Sequence, residues 1–411
     1  MKSEKLISFF LPFSLFLTIF APMIVHAPLL PLAACLMVGI VMGGCLENWF
    51  LILPFLIVLA VIVCLLSRWP RWQTAGIWCC TVLLGMTLGA RQQYQPHARP
   101  SVNEQALEAR QHFLNHYRQW GLSEKSYGVV AAMTLGEKSH LDRELKDTYS
   151  RVGASHILAL SGLHLMIIYA FISLFIAWRR FRMLSQVAVI IALWAFAFLV
   201  GMSLSVVRSA CMISLYTLLS LGHRQRMSVN TLALTAIIML AVNPASLFDI
   251  SFQLSFMAVL AILLFNPLFT RLIPLHVLQR HRWLKALWGM TTVSLSAQMG
   301  TAPLIAFYFG HFSTYFLLSN YVVVPLATAV LYLTLCCLLT TWWKALQHGL
   351  VIVLAAVVGL MNRLLTAISH LPFCTIEGLH PSIFQVVLLY VIIACGYVLF
   401  SLTVPKARQS A

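Results

Sequence analysis

Ser382-Ile-Phe-Gln-Val-Val-Leu-Leu-Tyr-Val-Ile-Ile-Ala-Cys-Gly-Tyr-Val-Leu-Phe-Ser-Leu-Thr403 contains no charged side chain. At about 1.5 Å per residue, a helix of this length spans the hydrocarbon of a bilayer. Lipid accepts only backbones whose polar groups are satisfied internally, as helices or closed barrels. A barrel strand would alternate apolar and polar positions over about ten residues, and this stretch does not.

Similar runs recur through the 411 residues, at 7–25, 29–45, 50–67, 74–90, 156–178, 184–203, 205–221, 229–247, 251–267, 286–307, 314–342 and 349–371. Overall 61% of residues are apolar and 9% charged, against about 25% charged in a soluble domain. The expected fold class is an all-α polytopic integral membrane protein. It should hold about 11–13 transmembrane or re-entrant helices, with short amphipathic helices at the interface.

Charge is lopsided, with 27 Lys and Arg against 11 Asp and Glu. Basic residues cluster after alternate spans: Arg179, Arg180 and Arg182, then Arg224 and Arg226, then Arg271, Arg280, Arg282 and Lys285, then Lys344, then Lys406 and Arg408. Cytoplasmic placement of these loops accounts for most of the excess. It predicts an inner-membrane protein with Arg68, Arg71 and the C-terminus inside and the polar stretch 91–155 outside. The segment 7–25 would leave Lys2 and Lys5 outside, so it is an N-out span, a re-entrant piece or an interfacial segment. The remaining positive charge suits a polyanion.

Four regions follow: hydrophobic helices over 1–90, an outer-side polar connector over 91–155, a transmembrane channel domain over 156–403, and a cytoplasmic tail over 404–411. Ser126–Glu137 and Leu141–Arg151 are candidate amphipathic helices within the connector. The ten cysteines lie almost wholly in apolar runs, including Cys79–Cys80 and Cys336–Cys337, and form no C-x-x-C pair. They read as packing residues, and neither disulfide, metal nor other cofactor is expected.

Polar groups inside apolar spans carry the functional signal, because each is costly unless paired or wet. His156, Ser161 and His164 fall at about 0°, 140° and 80° on one helix wheel, with the histidines about 12 Å apart along the axis. Ser205, Arg208, Ser209, Tyr216 and Ser220 form a polar stripe within about 120°. Arg208 has no acidic neighbour in sequence, and its planar fork suits phosphate. Asp249 and Gln253, at i and i+4, either partner Arg208 or each other, or Asp249 caps a helix. From Gln298 through Gly300, Pro303, Gly310 and Asn320 to Pro325, Pro and Gly are expected to interrupt helices, as at binding sites in transporters.

Gly136-Glu-Lys138-Ser139 only brushes against a phosphate-binding loop, so transport powered by the chain's own nucleotide hydrolysis is not expected. Ser161 and His164 have the spacing of a nucleophile–base pair but lack an evident orienting group. Enzymatic activity is accordingly not expected, with an intramembrane hydrolase as the lesser alternative.

The run Gly153-Ala-Ser-His156-Ile-Leu-Ala-Leu-Ser161-Gly162-Leu-His164 resembles the signature of ComEC-type competence proteins, inner-membrane channels for incoming transforming DNA. Ala132 to Ser139 upstream, and Gly201 to Arg208, Asn243-Pro244, Asp249 to Phe256, Phe309-Gly310 and Asn320 to Pro325 downstream, follow that family's order. The resemblance implies passage of single-stranded DNA along a path shaped by His156, Ser161, His164, Ser205, Arg208, Asp249, Gln253 and Asn320. It implies as partners the lipid bilayer, an outer-side DNA receptor, a separate nuclease and a cytoplasmic motor ATPase. The family's oligonucleotide-binding barrel does not fit into 91–125, and the sequence stops at Ala411 where its metallo-β-lactamase-like module would follow. Nuclease activity is therefore not carried over. A transporter of a smaller anionic or lipid-linked solute remains the alternative.

Overall fold

The computed structural model describes residues 27–46, 50, 52–65, 69–94, 104–176, 182–221 and 229–403. Segment 7–25 with Lys2 and Lys5, the basic positions Arg68, Arg179, Arg180, Arg224 and Arg226, and the tail 404–411 lie outside the described residues.

Helices dominate in chain order. The first six are α1 (Leu29–Gly43), α2 (Ile52–Leu65), α3 (Pro70–Tyr94), α4 (Glu104–Arg118), α5 (Glu124–Leu135) and α6 (Arg143–Arg151). Next come α7 (Ser155–Leu158), α8 (Gly162–Ile176), α9 (Arg182–Leu199), α10 (Leu204–Leu221) and α11 (Val229–Val242). A 3₁₀ turn, Pro244–Phe248, leads to α12 (Ile250–Thr270), α13 (Leu275–Arg280) and α14 (Arg282–Phe309). The last helices are α15 (Phe316–Leu339), α16 (Lys344–Ser369) and α17 (Ile383–Thr403). Two three-residue strands, β1 (His311–Ser313) and β2 (Thr375–Glu377), pair antiparallel with His311 opposite Glu377.

Five helices are long and apolar enough to cross a membrane: those over Arg71–Arg91, Ile250–Thr270, Phe316–Leu339, Lys344–Ser369 and Ile383–Leu402. Shorter apolar helices accompany them, among them α8 and α10. Phe55 and Leu65 of α2 and Phe384 and Leu402 of α17 are exposed on the protein surface. An apolar surface of this extent suits lipid, not water. The protein is an all-α, multi-pass membrane protein.

The chain divides into two compact units, one of residues 1–99, 227–309 and 380–411, the other of residues 100–226 and 310–379. In the first unit, α1 packs on α3 through glycines four apart, Gly39 and Gly43 against Gly85 and Gly89. A Cβ on Gly39 would meet the carbonyl oxygen of Val82, and one on Gly85 that of Leu36. Small residues at this spacing let apolar helices approach backbone to backbone. The helices α12, α14 and α17 also associate here. Helix α14 runs through Gly300 and Pro303 to Phe309 without a break, and α15 in the other unit runs through Pro325. The interruptions expected at Gly300, Pro303 and Pro325 do not occur, whereas left-handed Gly310 (φ 69°) follows the end of α14. A proline leaves carbonyls of the preceding turn unmet, and the hydroxyl of buried Tyr390 donates to the Gly300 carbonyl at 2.7 Å.

The second unit is built on α5, in which every residue from Ser126 to Leu135 is buried. Ser123 caps its start by accepting from the Ser126 amide. At its end Gly136 turns left-handed (φ 71°), while the Gly136 and Glu137 amides donate to the carbonyls of Ala132 and Ala131, a Schellman closure. Helix α4 returns antiparallel on α5, tied by an ion pair between Arg110 and Glu137 at 2.7 Å. Helix α5 packs against α15 and α16, and α6 against α16, where the Tyr149 hydroxyl donates to Asn362 Oδ1 at 2.8 Å.

This packing lays the segment 104–151 along α16. Trp120, between α4 and α5, lines a cavity with Lys344 at the start of α16. The carbonyl of Arg151, at the end of α6, accepts from Thr375 Oγ1, beyond the end of α16. The segment 104–151 thus meets a membrane-length helix of about 39 Å at both of its ends. The contact rests on α5, whose residues Ser126 to Leu135 are buried among these helices.

Two outcomes follow. Gly39→Leu should cost about 1–3 kcal/mol through overpacking of α1 on α3, read as a lowered melting temperature of the detergent-solubilised protein. Burial pushes the Glu137 carboxyl up, but hydrogen bonds from Ser139 and the Arg110 charge outweigh it and hold it below its ordinary value of 4.5. A lowered folded-state value stabilises above the unfolded value and is lost as pH falls through the folded one. Glu137→Gln should therefore lower the melting temperature at neutral pH, and the gap from the parent should close below about pH 4.5. A gap independent of pH would show that the carboxylate charge plays no part.

Candidate functional site

The signature segment does not form one helix. Helix α7 ends at Leu158, Ala159 is extended (φ −100°, ψ 135°), and α8 starts only at Gly162. His156 and His164 therefore do not share a helical face, which corrects the wheel placement. The exposed His156 holds its Nδ1 3.1 Å from the Gly153 carbonyl, just after the left-handed turn at Gly153 (φ 75°). A Cβ on Gly153 would fall 3.0 Å from that of Ser313.

Ser161 caps α8, its carbonyl accepting from the Leu165 amide. The Ser161 amide donates to His164 Nδ1 at 3.2 Å, and the Ser161 Oγ lies 2.8 Å from the same nitrogen. The bond from the Ser161 amide is one half of a capping box, in which histidine takes the place usually held by Glu or Gln. An amide can only donate, so Nδ1 accepts and the ring proton is assigned to Nε2. His164 is 1% exposed, and its ring also interacts with the backbone of Ile157. The ring closes the start of α8.

The second cluster lies against this start. Gly162 meets Ser209 of α10, whose Oγ is 3.1 Å from where a Cβ would stand. Ser209 donates to the Ser205 carbonyl at 2.9 Å, and Arg208 Nη2 donates to Ser205 Oγ at 3.1 Å. Arg208 is 3% exposed and Ser209 5%, so the polar stripe of α10 faces inward. Tyr216 is half-buried, and the Ser220 side chain lies outside the described residues. The turn before α10 carries two successive left-handed residues, Gly201 (φ 82°) and Met202 (φ 51°), an unusual conformation for methionine. This reversal sets the first turns of α10, where Ser205, Arg208 and Ser209 stand, beside the N-terminal end of α8. Hydrogen-bond donors gather there: amides at a helix start, serine hydroxyls and a guanidinium.

Asp249 and Gln253 belong to the other unit. Asp249 Oδ1 accepts from the amides of Ser251 at 2.7 Å and Phe252 at 3.2 Å, capping α12. Gln253 is 1% exposed, its Nε2 donating to the Leu247 carbonyl and its Oε1 accepting from the Tyr308 hydroxyl. Both ends of the amide are thus occupied inside the protein. Tyr308 went unnoticed in sequence because nothing local links it to Gln253. Asn320 is half-buried in the second turn of α15.

The competence protein family matches residues 133–403, about two-thirds of the chain and every position just described. The chain belongs to that family. Among relatives of this competence protein, ComE operon protein 3 of Bacillus subtilis (strain 168) is 29% identical over 292 residues, covering 67% of this chain and 34% of that one. An uncharacterized protein of Aquifex aeolicus (strain VF5) is 34% identical over 179 residues, covering 43% and 40%. The chain thus spans about a third to two-fifths of the length of these relatives. No solved structure matches it.

If His164 closes α8, the two capping partners should rank in a set order. Ser161→Ala loses one hydroxyl and should cost about 1 kcal/mol. His164→Ala also strips the Ser161 amide of its acceptor and leaves a cavity, and should cost about 2 kcal/mol or more. Thermal unfolding of the two variants measures this, and equal losses would mean that the hydroxyl alone holds the turn.

Proposed function

We propose that this competence protein passes single-stranded DNA across the inner membrane, with the C-terminus cytoplasmic, and that Arg208 contacts the phosphates. The carrying observation is the buried Arg208–Ser205–Ser209 turn set against the start of α8 at Gly162. Helix N-termini favour anions through their free amides and dipole. A guanidinium just past the first turn of α10 is disfavoured by its own helix dipole and favoured once a phosphate arrives. Its fork can hold two phosphate oxygens at once. Membership of the competence protein family, with ComE operon protein 3 among the relatives, supports DNA as the polyanion.

Transport on this reading involves no bond cleavage by the chain. Strand cutting, outer-side capture and the driving force come from partner proteins: a nuclease, a DNA receptor and a motor ATPase.

The test is uptake of labelled DNA in a deletion strain complemented with this chain. Arg208→Ala should abolish uptake while membrane insertion stays intact, and Arg208→Lys should restore only part, since an ammonium keeps the charge but not the fork. Full uptake with Arg208→Ala would remove Arg208 from the path. Normal cytoplasmic entry of DNA without the protein would sink the reading as a whole.

A further inference from the structure

Helix α4 carries a row of rings unrelated to the family signature. His112, His116 and Trp120 are spaced four residues apart, so they lie along one side of α4 and the turn after it. The centroids of His112 and His116 are 6.5 Å apart with planes only 9° from parallel, and those of His116 and Trp120 are 6.4 Å apart with planes tilted by 59°. Stacked bases along one strand lie about 3.4 Å apart. Two parallel rings at roughly twice that spacing leave a slot of about one planar ring. Gln111 and Asn115, bonded to each other, are exposed on the same helix. Polar side chains beside α15 and α16 call for a hydrated surface.

The row ends in a cavity of about 280 Å³ within the same unit. His116, Gln119 and Trp120 line one side, and Lys344, Gln347 and His348 of the first turns of α16 line the other. The lining holds a cation, two amides and three ring N–H groups, and no carboxylate. Trp120 Nε1 is buried without a hydrogen-bond partner. The start of α16 has neither an acidic residue in its first turn nor a side-chain cap. These features ask for an acceptor-bearing anion. The volume is at the lower edge of small-molecule sites, about 300–1,000 Å³, which suits one nucleotide unit and excludes a duplex.

We propose that the ring row His112–His116–Trp120 and the cavity at Lys344 form a binding site for single-stranded nucleic acid, with bases stacking on the rings and a phosphate at Lys344. The identity of the strand rests on the function proposed above. Stacking on aromatic rings with a nearby cation is how single strands are held without sequence preference.

The experiment uses the full chain in lipid nanodiscs and fluorescence anisotropy of two labelled probes, a short oligothymidylate and an abasic strand of equal length. The double variant His112→Ala/His116→Ala should weaken oligothymidylate binding by about fivefold or more and leave the abasic strand unchanged. His116→Phe should retain binding, because it keeps a ring. Lys344→Gln should weaken both probes and flatten their salt dependence. Equal losses for both probes in the histidine variant, or none, would overturn the site while leaving transport through Arg208 untouched. Failure of the parent chain to bind either strand would overturn both. A Lys344→Gln effect confined to vesicles containing phosphatidylglycerol would assign the cavity to a lipid headgroup and overturn the proposal.

Discussion

A hydrogen-bonding group surrounded by apolar helices meets no water, so its partner has to come from the chain itself. Most threonines and serines inside the long helices meet this demand within one turn. Thr134 donates to the Val130 carbonyl, Ser296 to Thr292, Thr328 to Val324 and Thr334 to Val330. Larger polar groups reach across helices, as Tyr390 does to Gly300 and Gln253 to Leu247 and Tyr308. Gln347 likewise reaches from α16 to the Cys337 carbonyl.

Arg208 is a buried cation beside two helix starts, donating to Ser205 Oγ. His164 looks functional in sequence, yet its acceptor nitrogen is engaged in holding the first turn of α8. By holding Ser161, it fixes the turn at Gly162 against which Ser209 rests. The close approach at Gly162 explains why a residue without a side chain stands between serine and histidine there.

The hairpin of α4 and α5 shows how a polar stretch can enter such an assembly. Helix α5 contributes an apolar face with small residues, Val129 to Ala132, that tolerates complete burial. Helix α4 covers it with an amphipathic side, burying Ala106, Leu114 and Tyr117 and turning its amides and histidines outward. Burial pushes the Tyr117 hydroxyl well above its ordinary range, so this helix meets the core there with a neutral ring.

Hydropathy and capping are local properties, and what depends on them was legible in the sequence. The long helices lie close to the apolar runs from which they were expected. Asp249 caps α12 as one of its two readings had it, and the polar stripe on α10 follows from spacing alone. The G-x-x-x-G pairs at Gly39–Gly43 and Gly85–Gly89 were also there to be read, as was the spacing of His112, His116 and Trp120. Only the tertiary structure decided that α7 and α8 are separate helices, that Gln253 is engaged by Tyr308, and that Ser209 meets Gly162. It alone carried the segment 104–151 from one end of α16 to the other. Each of these depends on which distant group supplies a hydrogen bond or a packing surface, and a one-dimensional pattern contains the demand for a partner but not the partner's address.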